Sequence, residues 1–106
     1  MKLGIIMYSN DAETVWNAFR FGNFSLNKGD EVKLFLLGKG VEYESLDSAD
    51  FRIKEQATLF LEGNGNILAC GTCLEKRGSK GSETCPMSTM NDLYTLVKES
   101  DKIISF

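Results

Sequence analysis

The chain has 106 residues, of which 42% are hydrophobic and 25% charged, with a formal net charge of −3. This length forms one domain with one modest core, so we expect a single domain over residues 1–106. The negative charge disfavours nucleic acid and anionic membrane surfaces as partners, because both repel an acidic protein. The absence of histidine excludes Ser-His-Asp and Cys-His catalysis and any metal site that requires imidazole.

Hydropathy and cysteine usage indicate a cytoplasmic protein without a membrane span. No apolar run approaches the length that crosses a bilayer. The first seven residues resemble a signal peptide only superficially, because the chain turns polar at Ser9 and lacks a small-residue cleavage pattern. Three cysteines are an odd number and do not form a disulfide framework. In a reducing compartment, the Cys70-x-x-Cys73 pair instead indicates metal or redox chemistry.

The first predicted elements are a strand and a long helix. An apolar run over residues 2–8 predicts a strand buried on both faces. A helix is expected over about 11–28, with Asn10 and Glu13 as a capping box and Gly29 just past its end. Gly22 lies inside this helix, and we attribute it to close packing of the helix on a strand. The apolar stripe of the helix consists of Ala12, Val15, Trp16, Phe19 and Leu26.

The remaining elements continue the alternation. In chain order we predict a strand at 31–37, a loop with a short helical turn at 38–50, a helix at 51–62 and a strand at 66–70, then a loop at 78–82, a brief strand at 83–85 ended by Pro86, a helix capped by Ser88 or Thr89, and a strand at 101–106. The last helix carries an apolar face of Met90, Leu93, Tyr94 and Val97.

This alternation predicts an α/β fold with a mostly parallel five-stranded sheet and helices on both faces. In such sheets the functional crevice lies beyond the carboxyl ends of the strands. Cys70 ends the third predicted strand and Cys85 the fourth. We therefore expect the two thiols at the same edge of the sheet.

Cys70 is the candidate reactive sulfur. It ends a short apolar run and precedes a turn into a helix start at Gly71 and Thr72. Unpaired backbone N–H groups and the helix dipole at such a position favour the thiolate over the thiol. The alternative is a buried cysteine that acts as a small hydrophobic residue.

The cysteine segment also carries a family resemblance. It reads Cys70-Gly71-Thr72-Cys73-Leu74-Glu75-Lys76-Arg77-Gly78 and is followed by Cys85-Pro86-Met87. With the apolar first strand and the terminal Asp-Leu-Tyr helix, it resembles the DsrE/DsrF-like family, small proteins related to sulfur-relay subunits. The most specific feature is a cysteine eight residues before a glycine that follows arginine. In sulfurtransferase members a cysteine at that position carries a persulfide, and Cys70 matches it.

The resemblance implies a fold, a function and an assembly. The fold would be flavodoxin-like, and copies of the chain would form a trimer or hexamer. The function would be that of a sulfur carrier or sulfurtransferase that works with another sulfur-relay protein, without a cofactor or a resident metal. Cys70 and Cys73 are the candidate catalytic residues. The candidate binding residues are Gly71, Thr72, Arg77 and Cys85.

The role of Cys73 stays open among three alternatives. It would act as a resolving thiol that forms a disulfide with Cys70, as a metal ligand together with Cys70 and Cys85, or as a packing residue at the helix start. Two other functions also remain open. One is a non-catalytic oligomeric binding or assembly module of the same fold, and the other is a thiol redox or metal-binding protein.

Overall fold

One sheet of five parallel strands organises the part of the chain that the computed structural model describes, residues 1–81 and 86–106. The strands lie side by side in the order β4-β3-β2-β1-β5, and every pairing is parallel. The sheet is thus entirely, not mostly, parallel. In chain order the strands are β1 (Lys2–Met7), β2 (Glu31–Leu36), β3 (Asn66–Cys70), β4 (Met87–Ser88) and β5 (Lys102–Ser105).

Helices cover both faces of this sheet, which confirms the predicted three-layer, flavodoxin-like α/β fold. The helical segments are α1 (Ala12–Asn27), a 3₁₀ helix (Gly38–Leu46), α2 (Ile53–Glu62), α3 (Gly71–Glu75) and α4 (Met90–Glu99). α1, α2 and the 3₁₀ helix contribute to the larger core cluster, and α4 packs on the opposite face. No helix within the described ranges is both long enough and apolar enough to span a membrane.

The start of α1 differs from the prediction. Asp11, not Asn10, is the N-cap residue, so the capping box of Asn10 with Glu13 is wrong. The Asp11 carboxylate accepts hydrogen bonds from the Thr14 backbone N–H at 3.0 Å and from the Thr14 hydroxyl at 2.9 Å. Its extended backbone places a short acceptor over the third amide of the helix. The end of the helix is as predicted, because Gly29 follows it with φ +92°.

Gly22 is required by helix-on-helix packing. A Cβ at this position would lie 2.8 Å from Cε1 of Phe60 on α2, which is too close. Its distance to Cδ1 of Ile5 on β1 would be 3.4 Å, which is an ordinary contact. The predicted contact with a strand is therefore secondary to the contact between α1 and α2. Phe60 is fully buried in the core cluster that also holds Ile5, Phe19 and Leu34.

The face of the sheet beneath α4 is thinly covered. Its buried cluster consists of Phe35, Cys70 and Leu96, with Leu93 packed at its margin. The predicted apolar face of α4 is mostly exposed, since Met90 and Tyr94 are each 63% exposed. In a single chain α4 therefore packs through Leu96, and the stripe that includes Met90 and Tyr94 does not reach the sheet.

Strand β4 begins directly after Pro86. The predicted strand at 83–85 lies outside the described residues, whereas β4 begins at Met87. β4 pairs with the end of β3 through Ala69 opposite Met87 and Cys70 opposite Ser88. Proline has no N–H to donate to a ladder, so a position just before the first strand residue suits it.

Candidate functional site

Cys70 lies at the carboxyl edge of the sheet, where the sequence predicted it. It is the last residue of β3, which is held on one side by β2 and on the other by β4. Its side chain belongs to the buried cluster with Phe35 and Leu96, and the residue is only 4% exposed. The scaffold around this sulfur is therefore fixed by strand pairing on both sides.

The two thiols of the Cys-x-x-Cys segment are in direct contact. The short α3 places Cys73 so that its Sγ lies 2.7 Å from Cys70 Sγ, and its backbone N–H donates to Cys70 Sγ at 3.3 Å. Both cysteines are free. A disulfide bond has a length of about 2.05 Å, so a small side-chain rotation would bring the pair to bonding distance.

The turn after β2 holds the second sulfur. The backbone N–H of Gly38 donates to Cys73 Sγ at 3.2 Å across 35 positions of sequence. Gly38 has φ +57°, a conformation that glycine adopts without the steric cost other residues bear. From the sequence alone, Gly38 was expected only to begin the loop after the second strand. A glycine directly after a predicted strand at the functional edge was the available signal.

Burial controls the ionisation of Cys70. Desolvation raises the pKa of the Cys70 thiol, and the adjacent Cys73 thiol raises it further. Backbone N–H groups of Cys73 and Thr72 lower this pKa, but their effect is the smaller one. The sequence-based expectation of a favoured thiolate is therefore wrong. It counted the donors at the turn and could not count the apolar side chains that remove water from the sulfur.

Arg77 supports the dithiol segment through the backbone. Its Nη1 donates to the carbonyl oxygen of Cys73 at 3.0 Å, and its Nε donates to the Glu42 carboxylate at 2.7 Å. This ion pair lowers the pKa of Glu42. The guanidinium is thus engaged by an acceptor on each side. Arg77 and Glu42 also line a cavity of about 300 Å³, to which neither Cys70 nor Cys73 contributes.

A surface depression of about 300 Å³ opens beside Cys70. Gly71 lines it, and a Cβ on Gly71 would approach the Ser88 carbonyl oxygen to 3.1 Å, so the two walls meet where only a glycine fits without displacement. Thr72 is also part of the lining. The other contributors are Glu75, Met87, Ser88, Thr89 and Met90. The wall formed by residues 87–90 has no signature in the sequence, because its position depends on the pairing of β4 with β3.

Two of the sequence predictions depend on Cys85. Cys85 lies outside the described residues, so the predicted closeness of Cys70 and Cys85 and the three-thiolate metal site stay predictions. Within residues 1–81 and 86–106, no group of three or more cysteine, aspartate or glutamate side chains is arranged to hold a metal ion.

Comparison with known proteins identifies similar chains. A profile of the DsrE/DsrF-like family matches residues 1–106. An uncharacterized protein from Methanocaldococcus jannaschii is 32% identical over 100 residues, which cover 89% of this chain and 88% of that protein. An uncharacterized protein from Methanopyrus kandleri is 33% identical over 100 residues, which cover 89% of this chain and 83% of that protein.

A solved structure shares the fold. It is that of a conserved protein of unknown function from Bacteroides thetaiotaomicron, which is 23% identical to this chain. The two align with a TM-score of 0.79 over 99% of this chain and 94% of that one. The likeness extends over nearly the whole of both chains, so it concerns the complete fold and not one substructure.

Proposed function

The chain belongs to the DsrE/DsrF-like family, and we propose that it is a sulfur-relay protein that accepts sulfane sulfur as a persulfide on Cys70. The observation that carries this proposal is the position of Cys70, at the end of a doubly paired strand and beside an open depression. A persulfide carrier needs a fixed sulfur with room for one additional sulfur atom and for the group that delivers it. The depression supplies that room.

The loading step is a thiol exchange. The Cys70 thiolate attacks the outer sulfur of a donor persulfide, a new sulfur–sulfur bond forms, and the donor leaves as its thiolate. Because burial raises the pKa of Cys70, little thiolate is present at neutral pH. We therefore expect slow reaction with small reagents in bulk solvent and faster loading from a protein donor that docks over the depression.

We also propose that the chain works as a homo-oligomer in the cytoplasm, with another sulfur-relay protein as its partner and with Gly71, Thr72 and Arg77 shaping or holding the site. The exposed side chains of α4 support self-association, since Met90, Tyr94 and Val97 present apolar surface that a single chain does not cover. The family resemblance favours a trimer or hexamer. A reducing compartment suits a protein whose described cysteines are free.

Mass spectrometry over a time course tests the assignment of Cys70. The protein is incubated with cysteine persulfide, and samples taken at intervals are alkylated with iodoacetamide and digested with trypsin. Cleavage after Lys54 and Lys76 leaves Cys70 and Cys73 on the peptide 55–76 and Cys85 on the peptide 81–98. We expect one extra, reductant-sensitive sulfur atom on peptide 55–76 of the wild type or of Cys73→Ser, and we expect its loss in Cys70→Ser.

Two results would count against this function. If Cys70→Ser loads as well as the wild type, Cys70 is not the accepting thiol. If neither the wild type nor Cys73→Ser gains a sulfur atom from cysteine persulfide, the protein does not carry persulfide. A non-catalytic module whose cysteines only pack would then fit better, in keeping with the 4% exposure of Cys70.

A further inference from the structure

We propose that Cys73 resolves the Cys70 persulfide, so that the sulfur leaves the protein as hydrosulfide and a Cys70–Cys73 disulfide remains. This inference rests on the proposed function, because it concerns the fate of sulfur already loaded on Cys70. It assigns the protein a reductive sulfur-releasing activity toward sulfane sulfur, beyond passive carriage to an acceptor.

The distance between the two sulfurs favours an intramolecular reaction. Cys73 Sγ lies 2.7 Å from Cys70 Sγ, closer than the separation from which a reacting pair usually starts. A positioned neighbouring group acts at an effective concentration that reaches on the order of 10⁵ M. An external acceptor thiol at cellular concentration has no comparable advantage. Unless an acceptor is already docked, the adjacent thiol reacts first.

Hydrogen bonds hold the second thiol in this place. Gly38 donates its N–H to Cys73 Sγ at 3.2 Å, and Arg77 donates to the Cys73 carbonyl oxygen at 3.0 Å. Arg77 is itself fixed by its 2.7 Å ion pair with Glu42. The first thiol is held by the pairing of β3 with β2 and β4. Neither sulfur has to leave its position, apart from a side-chain rotation, for a bond to form.

The depression lies where the leaving sulfur needs space. Displacement at sulfur requires the attacking and leaving atoms to lie on opposite sides of the sulfur under attack. The depression is lined by Cys70 but not by Cys73, and its other walls include Met87, Ser88 and Met90. We place the outer sulfur of the Cys70 persulfide in this space, to which Cys73 does not contribute, so that hydrosulfide departs into an open depression.

The step balances in atoms and electrons. The Cys73 thiolate attacks Cys70 Sγ, the inner sulfur, and the Cys70–Cys73 sulfur–sulfur bond forms. The bond from Cys70 Sγ to the outer sulfur breaks, and its electron pair leaves with hydrosulfide. The outer sulfur is reduced, the two cysteines are oxidised to a disulfide, and the proton lost by Cys73 goes to solvent. An external dithiol then reduces the disulfide and restores both thiols.

Single-turnover measurements on the full chain test this step. Wild type, Cys73→Ser and Cys70→Ser are mixed anaerobically with one equivalent of cysteine persulfide, which is the probe, and circular dichroism verifies that each variant is folded. Sulfide is trapped with monobromobimane, and peptide 55–76 is weighed without reductant. We expect wild type to release one sulfide for each peptide that loses two hydrogen atoms. Cys73→Ser should retain one extra sulfur atom and lose the sulfide release.

The outcomes separate failure of this inference from failure of the proposed function. If the wild type and Cys73→Ser both retain the extra sulfur, the inference is overturned and the carrier function stands. If Cys73→Ser gains no sulfur atom and the wild type neither gains one nor releases sulfide, the inference and the carrier function both fail. Disulfide formation without an equal amount of sulfide, or a disulfide that joins peptides 55–76 and 81–98, also overturns the inference. The ratio of sulfide to disulfide is measured on the wild type alone, so a misfolded variant would not leave the inference untested.

Discussion

At the residue scale, the site depends on two cysteines that have different environments. Cys70 is buried in the cluster with Phe35 and Leu96 and its pKa is raised, whereas Cys73 is half-buried and receives a hydrogen bond from Gly38. Only two residues separate the two cysteines in the sequence, yet distant parts of the fold determine their surroundings. A single backbone amide in the turn after β2 therefore affects how the pair reacts.

Substitution of Gly38 by alanine should slow the release of sulfide. An alanine Cβ meets no atom within 4 Å there, but the φ of +57° strains an L side chain by about 1–2 kcal/mol. If the turn relaxes and the N–H leaves Cys73 Sγ, the lost hydrogen bond is worth about 1 kcal/mol, or roughly fivefold in rate. Single-turnover sulfide release measures the effect.

Gly29→Ala is the matched control for this variant. Gly29 also has a positive φ, of +92°, with open space around its Cβ position, and it lies at the end of α1. Both variants should unfold more easily in urea, since both place a side chain in the left-handed region. Equal slowing of sulfide release by the two variants would show that strain, and not the Gly38 amide, is responsible.

At the element scale, α4 contributes Leu96 to the buried cluster that includes Cys70, and it depends on its capping box. The Asp92 carboxylate accepts from the Thr89 N–H at 2.7 Å and from its hydroxyl at 3.0 Å, and the Thr89 hydroxyl accepts from the Asp92 N–H at 3.2 Å. Only Leu96 of this helix is fully buried. Local bonds at its first turn are therefore a large part of what keeps α4 in place.

Thr89→Ala should destabilise the protein by about 1 kcal/mol, the usual cost of losing an N-cap side chain. Fraying of α4 would also uncover Cys70, so alkylation of peptide 55–76 by iodoacetamide should become faster. Urea unfolding and timed alkylation measure the two effects. Thr58→Ala is the control, because it makes the same change at an exposed mid-helix position of α2. A change of equal size in both variants would refute the capping explanation.

At the scale of the whole molecule, the two faces of the sheet are unequally covered. The larger core cluster lies beneath α1 and α2, while the opposite face is covered by α4 over a cluster of three buried residues. The outer side of α4 leaves Met90, Tyr94 and Val97 exposed. An apolar stripe at this position suits contact with a second copy of the chain.

Tyr94→Lys should dissociate the proposed homo-oligomer. A lysine in the interface would have to desolvate its charged ammonium group, and the free-energy cost of that desolvation exceeds what the apolar contact contributes. Sedimentation velocity should give an assembly for wild type and a single chain for Tyr94→Lys. Phe24→Lys is the matched control on α1, because Phe24 is 60% exposed and Tyr94 63%. Dissociation by Phe24→Lys alone would place the interface on α1.

The sequence by itself determined the order of the strands and long helices and, apart from β4, placed their bounds within two residues. β3 spans residues 66–70 as predicted, and Gly29 ends α1. Such features are local: apolar periodicity reports which residues share a face, and glycine alone adopts a positive φ without strain. Strand alternation then required a parallel sheet with Cys70 at its carboxyl edge, and the cysteine segment indicated the family.

Only the tertiary structure decided the environment of that cysteine. The Gly38 amide reaches Cys73 across 35 positions, and Phe35 and Leu96 bury Cys70 from two other elements. The apolar residues of α4 form overlapping stripes, and packing selected Leu96 over the stripe of Met90 and Tyr94. Burial and hydrogen bonding between distant segments have no local signature, because they arise when separate elements exclude water from the same place.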